Sequence, residues 1–303
     1  MSYPTLEFVA CPDPQGSHRM AYWQWGNPES GHVVLCVHGL TRQGRDFDTV
    51  ARALCEKAGN NIRVVCPDVV GRGKSDWLKN PMGYQIPNYA ADMLALLAQL
   101  QPQILDWLGT SMGGLIGMVI AGHADLPAFA KVRRLVLNDV GPVIEWQALQ
   151  RIGLYLGNTG VFDSEQQAAA ALWQIASSFG PHTPEQWLAL TRPLLKPLAD
   201  GSGRLTLHYD PALAMPFSQL TPESAAQGEA LLWQSYDRIT ATTLLLRGAQ
   251  SDLLAAATAQ AMLQRGPRAT LIEFEGVGHA PTFMADDQVQ AVLSFLLGET
   301  GKL

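Results

Sequence analysis

Short apolar runs alternate along the chain with amphipathic segments, and this alternation restricts the fold more than any other feature of the sequence. The run at residues 32–39, for example, is mostly apolar and ends in glycine, as is typical of a strand buried on both faces of a parallel sheet. The next segment carries Phe47, Val50, Leu54 and Ala58 at three- and four-residue spacing, which indicates a helix. Repetition of this order predicts an α/β fold, with a mostly parallel central sheet and helices on both faces.

The first two predicted strands are aromatic or alternating in character, and we expect them to form an antiparallel hairpin at one edge of the sheet. The predicted strands are residues 6–10, 19–26, 32–39, 62–66, 103–108, 132–137, 242–246 and 269–274. The predicted helices between and after them are residues 47–58, 88–100, 111–121, 255–264 and 287–297.

Residues 141–238 interrupt this order. They contain no strong strand run, and their clearest helical segments are residues 165–178 and 184–195. A helical insertion that the sheet does not need is typically a lid over a functional site. We therefore predict a core domain of residues 1–140 and 239–303, with a helical cap domain inserted after the sixth strand. The tryptophans of the insertion are Trp146, Trp173, Trp187 and Trp233.

A nucleophile motif follows the strand at residues 103–108. Residues 109–113 (Gly-Thr-Ser-Met-Gly) fit the pattern G-x-S-x-G, and they lie between a predicted strand and a glycine-rich helix. A sharp strand-to-helix turn strains the central residue and points its side chain outward. The helix start also directs free N–H groups towards any oxyanion that forms beside it. Ser111 is therefore the predicted nucleophile.

A serine hydroxyl needs a base, and His279 lies in a glycine-rich loop after the last predicted strand. Asp252 follows the preceding strand and is the predicted acid that orients His279. The chain order Ser, Asp, His is the one found in hydrolases with this motif. Asp139, at the end of the strand before the insertion, is the alternative acid, because a triad acid needs only the correct geometry.

These motifs resemble those of the α/β-hydrolase superfamily over nearly the whole chain. The resemblance implies that the backbone N–H groups of Leu40 and Met112 form the oxyanion hole, and that a cap enters after the sixth strand. Ser111 at the motif centre is similar to carboxylesterases and unlike haloalkane dehalogenases and epoxide hydrolases, which use an aspartate there. The stretches that carry the resemblance are residues 38–40 (HGL), 68–75 (DVVGRGKS), 109–114 (GTSMGG), 247–252 (RGAQSD) and 278–279 (GH).

The expected activity is hydrolysis of carboxylic esters through an acyl-enzyme, with no metal or organic cofactor. The apolar cap favours acyl or aryl substrates of small to medium size, and polyester cleavage is left open. Trp146 and His38 are the candidate pocket residues, although bracing the oxyanion loop is the favoured role of His38.

Three alternatives remain open at this point. One is a C–C bond hydrolase or lactonase for a carboxylated substrate, for which Arg151, Arg192 and Lys196 are the available cations. Another is a ligand receptor that retains the triad but turns over slowly. The third is a cofactor-free perhydrolase or haloperoxidase.

Charge and composition exclude other classes. The formal net charge is −6, and no basic run is present, which argues against nucleic acid and anionic membranes as partners. Residues 107–124 lack charged side chains, but their glycines indicate the buried centre of an α/β domain and not a membrane span. Four cysteines without metal-ligand spacing, and no visible signal peptide, predict a cytoplasmic protein without a zinc site.

Overall fold

A computed structural model describes residues 3–59 and 61–298 of the chain. The strands are β1 (Thr5–Asp13), β2 (Gly16–Gly26), β3 (His32–Val37), β4 (Arg63–Pro67), β5 (Ile104–Thr110), β6 (Val132–Asn138), β7 (Leu195–Pro197), β8 (Leu205–Leu207), β9 (Thr242–Gly248) and β10 (Thr270–Phe274). The helices are α1 (Asp48–Lys57), α2 (Ile86–Leu100), α3 (Met112–Ala121), α4 (Trp146–Tyr155), α5 (Glu165–Ala176), α6 (Pro184–Thr191), α7 (Ala214–Ser218), α8 (Pro222–Asp237), α9 (Ala256–Gln264) and α10 (Asp286–Leu297).

The central sheet has eight strands in the order β1-β2-β4-β3-β5-β6-β9-β10. β1 and β2 form an antiparallel hairpin at one edge, and β2 also pairs with β4 in the antiparallel sense. All remaining pairs are parallel. The predicted α/β fold with a mostly parallel sheet is therefore confirmed, and the carboxyl ends of the parallel strands lie at one edge.

Alternate residues of the inner strands enter two different cores. In β3, Val33 and Leu35 pack with α2 and α3 on one face, whereas Val34 and Cys36 pack with α1 and α10 on the other. Helices thus cover both faces, which is why the inner strands are continuously apolar and do not alternate with polar residues. Each fully buried Val or Leu side chain contributes about 1.5–3 kcal/mol of transfer free energy.

The insertion between β6 and β9 contains α4 to α8 and a two-stranded ribbon of β7 and β8. The sequence of the insertion has no strong strand run and does not predict this ribbon, because strands of three residues leave no periodic pattern in the sequence. Part of the insertion has its own small core, in which Trp187 is buried and packs edge-on against Trp173. The division into a core and a cap at residues 140 and 239 stays a prediction.

Residues 107–124, which lack charges, form the end of β5 and all of α3. In the part of the chain that the structure describes, no helix combines the length and the hydropathy that crossing a bilayer requires. The helix α3 packs against one face of the central sheet.

The start of α3 approaches β3 so closely that only glycine fits. A Cβ added to Gly113 would lie 1.9 Å from the carbonyl oxygen of Val37, and backbone cannot move aside as a flexible side chain can. By contrast, a Cβ on Gly228, within α8, would have no neighbouring heavy atom within 4 Å among the described residues.

These two glycines form a matched pair for a stability test. We expect Gly113→Ala to lower the free energy of unfolding by about 3 kcal/mol, because overpacking forces the backbone apart. Gly228→Ala should raise it by about 0.5–1 kcal/mol, because alanine loses less entropy in a helix. Urea unfolding of both variants and the wild type measures the difference. If Gly113→Ala were as stable as wild type, this would contradict the close approach of α3 to β3.

Candidate active site

The turn between β5 and α3 holds Ser111 in a strained conformation. Its φ is +51° and its ψ is −118°, a region that non-glycine residues rarely adopt and that costs about 1–3 kcal/mol. The Ser111 N–H donates to the carbonyl of Asn138 (3.0 Å), and the Ser111 carbonyl accepts from Gly114 (2.8 Å). A Cβ on Gly109 would lie 2.3 Å from the carbonyl oxygen of Gly113. The chain therefore reverses over one residue, as the motif predicts.

The hydroxyl of Ser111 faces the ring of His279. His279 lies in the loop between β10 and α10, and its Nε2 is 3.0 Å from Ser111 Oγ. This distance suits transfer of the hydroxyl proton to the ring. The structure thus brings together two of the predicted site residues.

The other ring nitrogen of His279 contacts Asp139, which follows β6 directly. His279 Nδ1 lies 2.7 Å from Asp139 Oδ2. The Asp139 carboxylate is fully buried and also accepts from the backbone N–H of Gly248 (2.9 Å) and the hydroxyl of Ser251 (2.6 Å). Three hydrogen-bonding groups thus converge on one buried carboxylate.

The structure corrects the predicted acid. Asp252 does not reach His279: its side chain is 52% exposed and pairs with Arg151 of α4, with a closest distance of 2.7 Å. The turn after β9 directs Ser251 inward to Asp139, so the next side chain points outward. Asp139, the alternative acid, occupies the position beside His279.

Two backbone donors flank the serine. The Gly39–Leu40 segment lies beside it, because a Cβ on Gly39 would be 3.6 Å from Ser111 Cβ. Within residues 3–59 and 61–298, the N–H of Leu40 has no protein acceptor. Met112 is the first residue of α3, so its N–H has no acceptor within the helix. Both N–H groups are therefore free to bind a developing negative charge at this edge.

His38 is buried and braces the loop that carries Leu40. Its Nδ1–H donates to the Gly39 carbonyl (2.7 Å), and its Nε2 accepts from the Val69 N–H (2.9 Å). Burial lowers the pKa of His38 to about 3; the Gly39 carbonyl opposes this shift, and the charges of Arg72 and Arg42 add to it. The ring is therefore neutral at working pH, which suits bracing and not proton transfer.

A mostly apolar cavity lies beside the Ser–His pair. Thr110 and Ala280, the chain neighbours of Ser111 and His279, both line it. Its charged groups are Arg42 and Asp46, which form a two-pronged ion pair at 2.6 and 2.8 Å. The full lining is His38, Arg42, Asp46, Phe47, Thr110, Phe179, Leu190 and residues 280–283.

The two candidate pocket residues lie in different places. His38 borders the cavity beside Ser111, although it is fully buried. Trp146 lines a separate groove between α4 and α7, with Leu149, Phe217 and Leu220 among its neighbours, and the structure does not bring it to Ser111 and His279.

Sequence reasoning missed a cluster formed by Cys11, His18 and Asp92. One potential ligand atom from each lies within 4.8 Å of the others, and all three side chains are buried. They come from β1, β2 and α2, so no spacing motif could reveal them. His18 Nε2 lies 3.0 Å from Asp92 Oδ2, and the group forms a polar contact between the edge hairpin and α2.

Comparisons with known proteins identify the family of the chain. A sequence model of the alpha/beta hydrolase family matches residues 34–292. The 3-hydroxybutyrate-oligomer hydrolase of Cupriavidus necator is 50% identical over 296 residues, which cover 97% of this chain and 98% of that protein. An alpha/beta hydrolase from Novosphingobium aromaticivorans superposes with a TM-score of 0.80 at 33% identity, covering 98% and 99% of the two chains. A solved structure from Rickettsia typhi superposes with a TM-score of 0.84 at 29% sequence identity, again covering 98% and 99% of the two chains.

The low pKa of His38 predicts a pH-dependent contribution to stability. Below about pH 6.5 the unfolded chain protonates this histidine, whereas the folded chain does not until about pH 3. The unfolded state then binds more protons, so this contribution is lost as the pH falls. Between pH 7 and 4.5, we expect the free energy of unfolding of wild type to fall about 2 kcal/mol more than that of His38→Gln. Urea unfolding at both pH values tests this, and parallel pH profiles would contradict it.

Proposed function

The chain is an ester-hydrolysing enzyme of the alpha/beta hydrolase family, and we propose that it cleaves oligomers of 3-hydroxybutyrate through an acyl-enzyme on Ser111. The observation that supports this substrate assignment is the 50% sequence identity to a 3-hydroxybutyrate-oligomer hydrolase over almost the full length of both chains. The arrangement of Ser111, His279 and Asp139 supports the mechanism.

In the first half of the proposed reaction, Ser111 Oγ attacks the ester carbonyl carbon while His279 Nε2 takes the hydroxyl proton. Asp139 accepts from His279 Nδ1–H and so stabilises the imidazolium that forms. The carbonyl oxygen becomes an oxyanion that the N–H groups of Leu40 and Met112 bind. The positive end of the α3 dipole lies at the same place.

Collapse of this intermediate releases the alcohol, which takes the proton from His279, and leaves an acyl group on Ser111. Water then attacks the acyl carbon with His279 again as the base. The products are a carboxylic acid and a hydroxyl-ended fragment, so each turnover of a hydroxyacid oligomer leaves a shorter oligomer and an acid. None of these steps requires a metal or an organic cofactor.

The cavity beside Ser111 supports a short, uncharged acyl unit. Phe179, Leu190 and Phe283 supply apolar surface, and the only cation in the cavity lining, Arg42, is neutralised by Asp46. Inner units of a 3-hydroxybutyrate oligomer carry a methyl group and ester oxygens but no charge. A small apolar cavity therefore matches one such unit better than it matches a long acyl chain.

The alternative of a carboxylated substrate has less support, because the cations that we considered for it are engaged. Arg151 pairs with Asp252, and Arg192 pairs with Glu165 at 2.7 Å. Lys196 Nζ lies 4.4 Å from the centre of the Trp77 ring. A carboxylate would have to displace one of these contacts before it could bind.

We also propose what covers the site, what the enzyme binds and in which compartment it acts. We assign residues 141–238 as a cap over the site and a small-molecule ester as the partner. All four cysteines are free and buried, which supports a reducing compartment, the cytoplasm.

The substrate assignment predicts that the purified protein releases 3-hydroxybutyrate from its linear trimer with many turnovers per active site. Ser111→Ala should lose at least about 10³-fold of this rate, because it removes the nucleophile. Chromatography of the products and hydrolysis of p-nitrophenyl butyrate provide the two measurements. Turnover of the p-nitrophenyl ester alone would overturn the substrate assignment. A single turnover followed by arrest would favour the receptor alternative.

The two aspartates provide a matched test of the triad. We expect Asp139→Asn to lower kcat by roughly 10⁴-fold, because an amide cannot hold the correct tautomer of His279. Asp252→Asn should change kcat by less than about 3-fold, because an exposed ion pair contributes about 0–1 kcal/mol. Steady-state kinetics on p-nitrophenyl butyrate compares them. A loss in Asp252→Asn as large as that in Asp139→Asn would return the acid to the position predicted from sequence.

A further inference from the structure

A buried arginine lies behind the oxyanion donors. Arg72, in the loop that follows β4, has no solvent exposure. Its guanidinium has no Asp or Glu oxygen within 4.0 Å anywhere in residues 3–59 and 61–298. Asp210, on the insertion, accepts instead from the hydroxyl of Tyr84 (2.6 Å). A buried charge without a counter-ion is costly unless hydrogen bonds replace its hydration, so its contacts show what it stabilises.

The contacts of Arg72 reach both residues that we assign to the oxyanion hole. Nε donates to the Leu40 carbonyl (2.8 Å), and Nη2 lies 3.4 Å from the Met112 sulfur. Nη1 donates to the Val70 carbonyl (2.7 Å) and the Tyr89 hydroxyl (3.0 Å). The cation also lies 4.9 Å from the centre of the Tyr89 ring. One guanidinium thus links the loop after β3 to the first residue of α3.

These bonds hold the Leu40 backbone from both sides. The N–H of Leu40 belongs to the peptide whose carbonyl, that of Gly39, accepts from His38. The carbonyl of Leu40 belongs to the next peptide, which accepts from Arg72. His38 is held in turn by Val69, three residues before Arg72. With both neighbouring peptides held, the Leu40 N–H keeps one direction.

The loop of Arg72 is covered by the insertion. Gly73 N–H donates to the His208 carbonyl (3.0 Å), and Asp210 N–H donates to the Gly71 carbonyl (2.8 Å). Arg72 itself forms a β-bridge with Tyr209. This cover keeps water from the guanidinium, so its charge acts through a medium of low dielectric constant.

We propose that Arg72 is a positioning residue for the oxyanion hole: it fixes the Leu40 peptide against Met112, and its unpaired charge favours the oxyanion. The inference rests on the proposed acyl-enzyme mechanism. A purely structural role would affect stability alone, whereas this role affects the step in which negative charge develops. Substrate binding in the ground state should change little.

The test compares Arg72→Met and Arg72→Lys with wild type. For p-nitrophenyl butyrate, we expect Arg72→Met to lower kcat roughly 30- to 300-fold with KM within about 3-fold, near the effect of losing one oxyanion donor. Arg72→Lys keeps the positive charge but not the forked geometry of the guanidinium, so its kcat should lie between those of Arg72→Met and wild type. The matched control is Arg133→Met, which removes one of the two side-chain partners of the buried Asp106 (2.9 Å) at the opposite edge of the sheet and leaves the other, His32. It should lower stability without lowering kcat.

A second readout does not depend on the natural substrate. Fluorophosphonate labelling of Ser111 needs the oxyanion hole but no particular acyl group, so its rate should fall in parallel with kcat in the Arg72 variants. If wild type reacts with the fluorophosphonate but not with 3-hydroxybutyrate trimer, only the proposed substrate fails.

Three results would overturn the role of Arg72. One is a folded Arg72→Met that keeps wild-type kcat and labelling rate, and another is a change confined to KM. The third is an equal loss of kcat in Arg133→Met at similar stability. If Arg72→Met does not fold, Arg72→Lys decides, because wild-type kcat and labelling in that variant would exclude the role.

Discussion

The single-residue reversal at Ser111 is the constraint on which the rest of the site depends. A strand and a helix joined by one residue must cross at close range, which is why glycines stand at positions 109 and 113. The same reversal points Ser111 outward, leaves the N–H of Met112 without a helical acceptor and aims α3 at the reacting group. The strain at Ser111 is offset by hydrogen bonds to Asn138 and Gly114.

The parallel sheet assembles the remaining groups. Leu40 follows β3, Arg72 follows β4, and Asp139 follows β6, while Ser251 and His279 follow β9 and β10. Because parallel strands end at the same edge, residues far apart in the chain become neighbours. Asp139 shows the effect: its three donors come from the end of β9, from the turn after β9 and from the loop after β10. The topology thus gathers Ser111, His279 and Asp139, which no local segment of the chain contains together.

The sequence predicted the elements well, because buried parallel strands and amphipathic helices have distinct periods. It also identified Ser111 and His279 as partners, because the nucleophile turn and the histidine loop have local motifs. The aspartate that contacts His279 was harder to predict, since Asp139 and Asp252 both follow strands. Which one faces His279 depends on side-chain direction within two turns, and residue pattern does not encode that direction. The network of Arg72 was invisible for the same reason: its partners are backbone carbonyls, a hydroxyl and a thioether.

The loop of Arg72 has hydrogen bonds on two sides, to Leu40 and to the segment at residues 208–210. The two sides share one stretch of backbone, so under the proposed mechanism the placement of residues 208–210 is thermodynamically linked to the direction of the Leu40 N–H. A displacement that breaks the bonds to His208 and Asp210 hydrates the guanidinium and weakens its field. Under the proposed mechanism, binding of an oxyanion beside Leu40 and the contacts of residues 208–210 with this loop therefore stabilise each other.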